Sequence, residues 1–131
     1  MRDHRRLRRL TVDESTTYRW TVRHRHVDDG GCQEVLTLHR DGVRTRIVLR
    51  SGEGRYAGGG YPGHSGGVGD RDHHLNLHEP GTVRAFVAEA LRRGLLPYEG
   101  ELDGWELFRA VAAGRAGAAA PEVPRDRPPG P

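Results

Sequence analysis

The sequence has no lysine, a single cysteine and no long apolar run. All 21 of its positively charged residues are arginines, and Cys32 is the only cysteine. One cysteine excludes an intramolecular disulfide and a zinc site built from several thiolates. Hydrophobic residues make up 34% of the chain, and no stretch approaches the roughly 18–20 apolar residues of a membrane helix. The basic N-terminus is followed by no apolar stretch, so no secretory signal is expected. These absences predict a soluble cytoplasmic protein without a membrane partner.

The charge of the chain changes along its length. Arginine in place of lysine, with abundant glycine, alanine and proline, is typical of a GC-rich bacterial genome, so the position of each arginine is more informative than their number. Residues 1–9 carry five arginines against one aspartate, and residues 17–50 carry seven against four acidic residues. Residues 51–111 carry six arginines against nine acidic residues. The front of the chain is therefore basic and the back is mildly acidic.

Alternating apolar residues predict strands in the first half. Residues 10–12 can form a short strand, and residues 17–27, 32–40 and 43–50 show the period of two expected of half-buried strands. Asp41-Gly42 is the strongest short signal for a two-residue hairpin turn. Nine of the 19 glycines fall between residues 52 and 69, which predicts a long Gly-rich loop over 51–71. A short strand through Leu75 and Leu77 can follow it.

A helix is predicted over residues 80–93, because Pro80 and Gly94 suit its two ends and apolar residues recur every three to four positions. Residues 103–112 can form a short second helix, with Asp103 and Glu106 in capping-box spacing, or a strand. The predicted organisation is a basic flexible arm (1–9), a single domain (10–111) and a disordered Ala/Pro/Gly-rich tail (112–131). The predicted fold class is α+β, an antiparallel sheet of three to five strands with one main helix on one face.

Three short patterns carry a resemblance: Tyr18-x-Trp20-x-Val22 in an early strand, Pro80-x-x-Val83 at the start of the helix, and Gly104-Trp105 after the helix. With these patterns the chain resembles small bacterial α+β proteins known mainly as uncharacterised reading frames. The resemblance covers roughly residues 10–110. It implies the fold class, and it implies no activity, substrate or catalytic residue.

Residues 63–67, GHSGG, match the Gly-x-Ser-x-Gly string of a serine hydrolase. In those enzymes the serine lies on a sharp turn between a strand and a helix. Here glycine-rich sequence flanks the string on both sides, so no strand or helix is predicted next to Ser65. We interpret the match as a result of glycine density, and catalysis by Ser65, with His64 beside it, is kept only as an alternative. The expectation is that the protein is not an enzyme.

Two further kinds of site are weighed and set aside. Histidines at 24, 26, 73, 74 and 78, with Asp70 and Asp72, are suitable metal ligands, but their spacing matches no known metal motif. The segment GEGRYAGGG lacks the Gly-Lys-Ser/Thr ending of a phosphate-binding loop. No metal and no cofactor is therefore predicted.

Arginines dominate the predicted solvent face of the sheet. This face and the basic arm can bind an acidic protein or, through phosphates, nucleic acid without sequence preference; arginines that merely keep a solvent face soluble are the alternative. Trp105, with Phe108 near it, is expected in the core, although the same cluster could anchor a partner. The sequence predicts a non-catalytic macromolecule-binding or accessory module, and the candidate contact residues are Arg5, Arg6, Arg8, Arg9, Arg19, Arg23, Arg25, Arg44, Arg46 and Arg50.

Overall fold

The chain forms two β-sheets and two helices over the residues that the structure, a computed structural model, describes: 7–27, 31–58 and 66–119. The strands are β1 (Arg8–Asp13), β2 (Thr16–Val27), β3 (Gly31–Arg40), β4 (Val43–Arg50), β5 (Arg55–Ala57), β6 (Gly67–Asp70), β7 (His74–Asn76) and β8 (Gly100–Asp103). The helices are α1 (Pro80–Arg92), between β7 and β8, and α2 (Trp105–Ala119), after β8. The predicted α+β class is confirmed.

The larger sheet contains five strands in the order β1-β2-β3-β4-β8. Its first four strands follow one another through antiparallel hairpins. The turn between β3 and β4 has positive φ angles at both Asp41 (54°) and Gly42 (80°), as a two-residue hairpin of the Asp-Gly type requires. β8 then adds parallel to β4 after the chain has formed the second sheet and α1.

A second sheet of three short strands, β5-β6-β7, follows β4 in the chain. The prediction of one continuous loop over 51–71 is therefore corrected, because β5 and β6 lie within it and pair with each other. Residues 59–65 fall outside the described residues. The strands were not predictable because they are three and four residues long and β6 offers a single large apolar side chain, Val68.

Both helices pack on one face of the larger sheet and against each other. α1 begins at Pro80 and is followed by Gly94, whose φ of 74° ends the helix, as the sequence indicates. Asp103 accepts a hydrogen bond from the Trp105 N–H, 3.0 Å away, at the start of α2. α2 continues to Ala119, so the tail predicted from residue 112 is corrected. The alanines beyond the last buried residue have high helix propensity and extend the helix.

The hydrophobic core lies between the larger sheet and the two helices. The largest fully buried side chains include Trp20 from β2, Leu36 from β3 and Phe86 from α1. Gly104 connects β8 to α2 where the backbone passes close to the Leu49 side chain, since a Cβ there would come within 2.6 Å of that side chain. Neither helix, over the residues described, is long and apolar enough to cross a membrane. Among the described residues no helix covers the opposite face of the larger sheet, and most arginines of β2 and β4 lie there.

Candidate functional site

The uncovered face of the larger sheet collects arginines from β2 and β4. Side chains alternate along a strand, so the register that buries Tyr18 and Trp20 sends the intervening residues to the other face. We call that surface the arginine face. It carries seven of the predicted contact residues, namely Arg9, Arg19, Arg23, Arg25, Arg44, Arg46 and Arg50.

The strand register aligns basic side chains in a row across four strands. Arg9 of β1 lies opposite Arg19, Arg19 lies opposite His39 of β3, and His39 lies opposite Arg44 of β4. Neighbouring strands are about 4.8 Å apart, so these side chains are close neighbours. Like charges directly opposite each other are unfavourable. The row therefore creates a positive potential that an anionic partner would relieve.

A shallow cleft of about 200 Å³ lies in the middle of the arginine face. Val35 forms part of its lining and is buried, although it lies outside the core beneath the helices. Aliphatic stems of arginine side chains cover apolar surface in this way while their charged ends stay in water. The cleft therefore combines an apolar and hydroxyl-bearing floor with a cationic rim, and its lining residues are Thr21, Arg23, Arg25, Val35, Thr37, His39, Arg44 and Arg46.

Acidic residues border the arginine face on the β8 side. A carboxylate oxygen of Glu101 lies 3.4 Å from an Arg50 guanidinium nitrogen, and its other oxygen lies 3.9 Å from Arg46 Nε. Ion pairs this exposed contribute little to stability. They do lower the positive charge at this edge, and no described carboxylate forms an ion pair with Arg19 or Arg25.

Arg8, predicted as a contact residue of the basic arm, does not lie on the arginine face. It lies opposite Trp20 in the register, and its guanidinium is 4.6 Å from the centre of that ring, a cation–π contact. It also donates a hydrogen bond to the His78 carbonyl oxygen, 3.1 Å away. The prediction placed residues 1–9 in a mobile arm, but β1 begins at Arg8, and alternation sends Arg8 and Arg9 to opposite faces. Arg5 and Arg6 lie outside the described residues.

A buried carboxylate–histidine pair lies on the other face of the sheet, where the sequence analysis missed it. His24 Nδ1 is 2.6 Å from a carboxylate oxygen of Glu34, whose side chain is fully buried. The sequence spacing could have indicated that Glu34 is buried, because in a strand Glu34 points to the same face as the core residues Leu36 and Leu38.

Comparison with known proteins gives no guide to the role of the arginine face or of the His24–Glu34 pair. No protein-family model, curated protein or solved structure matches the chain. The resemblance to small bacterial α+β proteins stays a prediction, and the functional argument depends on the described residues.

We expect Glu34 to make the stability of the fold depend on pH. Burial raises the pKa of its carboxyl group, while the hydrogen bond with His24 and the backbone N–H of Gly66 partly oppose that rise. Between the ordinary glutamate pKa of 4.5 and the raised value, the folded protein binds more protons than the unfolded chain. The contribution of Glu34 to the free energy of unfolding therefore falls as pH increases through this window. We expect Glu34→Gln to remove this decrease in the free energy of unfolding with increasing pH.

The measurement is urea denaturation of the wild type and Glu34→Gln from about pH 4 to about pH 7. The control is Glu53→Gln, which changes an exposed glutamate and should leave the pH dependence as in the wild type. An identical pH dependence for Glu34→Gln and the wild type would contradict the expected role of Glu34.

The GHSGG string is only partly within the described residues. His64 and Ser65 lie outside them, and the structure resumes with Gly66 and β6. The element that follows the string is therefore a strand that pairs with β5, whereas a nucleophile elbow is followed by a helix. The segment GEGRYAGGG contains β5, and its last two residues, 59–60, lie outside the described residues.

The histidines and aspartates weighed above as metal ligands make separate local contacts in the structure. His74 Nδ1 is 2.7 Å from the Tyr56 hydroxyl, and Asp70 accepts hydrogen bonds from the N–H groups of Asp72 and His73 in a turn. Those two hydrogen bonds, with the charge of His73, lower the pKa of Asp70 despite partial desolvation. Within the described ranges, no group of three or more His, Cys, Asp or Glu residues is arranged to hold a metal ion.

Proposed function

We propose that this protein is a non-catalytic binding module whose arginine face contacts an acidic surface of a protein partner. The observation that carries the proposal is the clustering of arginines from β2 and β4 around one cleft on the uncovered side of the sheet. A guanidinium group binds a carboxylate through two parallel hydrogen bonds. Surface aspartates and glutamates therefore supply the chemistry that fits this face. A cytoplasmic location, expected from the sequence, belongs to the same proposal.

The absence of aromatic side chains favours carboxylates over nucleobases as the ligand. Among the described residues of the larger sheet, no Phe, Tyr or Trp projects from the arginine face, since Tyr18 and Trp20 are buried on the other side. Proteins that bind single-stranded nucleic acid commonly stack bases on exposed aromatic rings. The arginine face offers cationic, hydroxyl and aliphatic groups instead, which suit a protein surface.

Non-specific binding to a nucleic-acid duplex is the second candidate function. The row of basic side chains reaches Arg9 on β1, and Arg5 and Arg6 precede that strand in the sequence. Arginines spread over a surface can neutralise phosphates without reading bases, and such binding weakens steeply with salt. It needs no aromatic platform, so the second candidate predicts affinity for any duplex.

Reversing two charges of the arginine face is expected to weaken binding of an acidic polypeptide. Arg19→Glu combined with Arg44→Glu changes two exposed residues that flank His39 in the basic row. The loss of two favourable charges and the gain of two repulsive ones should lower affinity by about tenfold to a hundredfold. The measurement is fluorescence anisotropy of labelled poly-glutamate at about 50 mM salt, repeated at about 200 mM salt and with a generic DNA duplex.

The matched control is Arg71→Glu combined with Arg109→Glu, which makes the same change in net charge at exposed residues outside the arginine face. Circular dichroism checks that both variants remain folded. Equal losses of affinity in the two variants would contradict the proposal, because net charge rather than the face would then control binding. Tighter binding to the duplex than to poly-glutamate would favour the second candidate function.

A further inference from the structure

The middle of the arginine face contains two threonines side by side. Thr21 of β2 lies opposite Thr37 of β3 in the strand register, and Thr37 lies opposite Arg46 of β4. All three residues line the cleft. Both threonines are partly exposed, and among the described residues neither hydroxyl group forms a hydrogen bond. The floor of the cleft therefore offers two hydroxyl groups that can donate to a ligand.

Basic side chains lie beside this pair on β3 and β4. His39 is two residues from Thr37 on the same strand face, and it lies opposite Arg44. His39, Arg44 and Arg46 all line the cleft. We call Thr21, Thr37, His39, Arg44 and Arg46 the threonine subsite. It presents hydroxyl and cationic donors from three adjacent strands.

The guanidinium groups of the threonine subsite are only weakly engaged by the described chain. Glu99 accepts a hydrogen bond from the backbone N–H of Arg44, 3.1 Å away, but among the described residues no carboxylate forms an ion pair with the Arg44 side chain. Arg46 forms a long ion pair with Glu101, at 3.9 Å, and its Nε atom is buried without a hydrogen-bond partner. Unmade hydrogen bonds of this kind are costly. Both side chains therefore have donors to offer an external anion.

Described strands frame the threonine subsite. It lies towards the turn at Asp41 and Gly42, and the strand residues next to it on β1 to β4 are described. Arg23 also lines the cleft, but it already has an interaction partner and is not part of the subsite. The chemistry of the subsite therefore comes from five described side chains.

The arrangement of these donors suits a phosphate monoester better than a carboxylate. A carboxylate has two oxygens in one plane, and a single guanidinium group binds both. A phosphate monoester has three terminal oxygens and a charge of about −1.5 to −2 at pH 7, so it takes hydrogen bonds from several directions. A cleft of about 200 Å³ is several times the roughly 30 Å³ that one water molecule occupies in the liquid. It therefore has room for the five heavy atoms of a phosphate group.

We propose that the threonine subsite binds the phosphate group of a phosphorylated side chain on the acidic partner. This inference rests on the proposed function and names the group at which the partner is recognised. The hydroxyl groups of Thr21 and Thr37 donate to phosphate oxygens, and Arg44 and Arg46 neutralise the charge. The cleft is shallow and other arginines surround it, so a phosphate with acidic neighbours on one polypeptide makes more contacts than a free ion.

The first test compares two labelled peptides of equal length by fluorescence anisotropy with the full chain, at about 150 mM salt. One peptide carries a phosphoserine–glycine pair among glutamates. The other carries two glutamates in place of that pair, which nearly matches its charge. We expect the phosphopeptide to bind at least about tenfold tighter. Equal affinity for the two peptides would overturn the inference, because charge alone would then set the affinity.

The second test removes the two hydroxyl groups. Thr21→Val combined with Thr37→Val keeps the branched shape of both side chains, and we expect it to reduce the preference for the phosphopeptide to about twofold or less. Thr11→Val combined with Thr17→Val is the matched control, because it makes the same change at a pair of exposed residues outside the cleft. Circular dichroism checks folding. Loss of the preference in the control, or its survival in the Thr21/Thr37 variant, contradicts the role of the subsite.

Competition identifies the source of the phosphate. At constant ionic strength, inorganic phosphate should displace the labelled phosphopeptide only at a concentration at least about a hundredfold above that of the unlabelled phosphopeptide. Displacement at equal concentrations would assign the cleft to free phosphate and overturn the phosphorylated partner. A generic DNA duplex that competes as well as the phosphopeptide would overturn it in favour of the second candidate function.

The outcomes separate this inference from the function on which it rests. If poly-glutamate binds and the Arg19/Arg44 variant weakens it, but the phosphopeptide has no advantage, only the inference fails. If poly-glutamate does not bind at low salt but the phosphopeptide binds through Thr21 and Thr37, the subsite stands and the face recognises phosphate rather than carboxylates. If neither ligand binds, both proposals fail.

Discussion

Phe86→Ala is expected to lower the free energy of unfolding by about 3–5 kcal/mol, the usual cost of removing a fully buried aromatic ring. Phe86 lies on the inner face of α1, has no exposed surface and belongs to the cluster that joins this helix to the larger sheet. The substitution removes apolar surface from the core and leaves a cavity that the surrounding side chains fill only in part. Net stabilities are about 5–15 kcal/mol, so the variant could lose most of its stability.

Urea denaturation followed by circular dichroism measures this effect, with the midpoint and the slope compared between variants. Leu91→Ala in the same helix is the matched control, because Leu91 is 37% exposed and alanine has the higher helix propensity. We expect it to change stability by less than about 1 kcal/mol. A loss in Leu91→Ala comparable to that in Phe86→Ala would mean that α1 does not pack on the sheet as described.

Trp105→Ala should produce the second large loss, again about 3–5 kcal/mol. Trp105 is the first residue of α2, and its indole N–H donates a hydrogen bond to the Arg50 carbonyl oxygen, 2.8 Å away. Its ring lies 4.9 Å from that of Phe108 in an edge-to-face arrangement, and the Arg55 guanidinium lies over it at 4.9 Å. One side chain therefore ties α2 to β4 and to the second sheet.

Trp105→Phe separates the two kinds of contribution. Phenylalanine retains most of the apolar contact but cannot donate to the Arg50 carbonyl, so we expect a loss closer to about 1–2 kcal/mol. Thermal and urea denaturation of both variants provide the measurement. If Trp105→Ala left stability unchanged and instead abolished binding of a partner, the alternative that Trp105 anchors a partner would replace the core assignment.

The sequence determined those parts of the fold that depend on neighbouring residues. Tyr18, Trp20 and Val22 alternate with polar residues because a half-buried strand has a period of two, and this alternation also predicted the arginines of the opposite face. Asp41-Gly42 accommodates the positive φ angles of a tight hairpin turn. Pro80 and Gly94 bound the helix because one lacks an N–H and the other tolerates a left-handed backbone. In each case the physical cause lies within a few residues of its effect.

Tertiary structure alone decided the features that depend on distant parts of the chain. The parallel pairing of β4 with β8 joins residues 55 positions apart, and no local pattern encodes it. Glu34 is tolerated at a buried position because His24 and the backbone N–H of Gly66 form hydrogen bonds with its carboxylate. Arg8 lies apart from the arginine face because its guanidinium stacks over the Trp20 ring of the adjacent strand. Local sequence sets the face to which a side chain points, whereas packing and strand order decide which other residues contact that face.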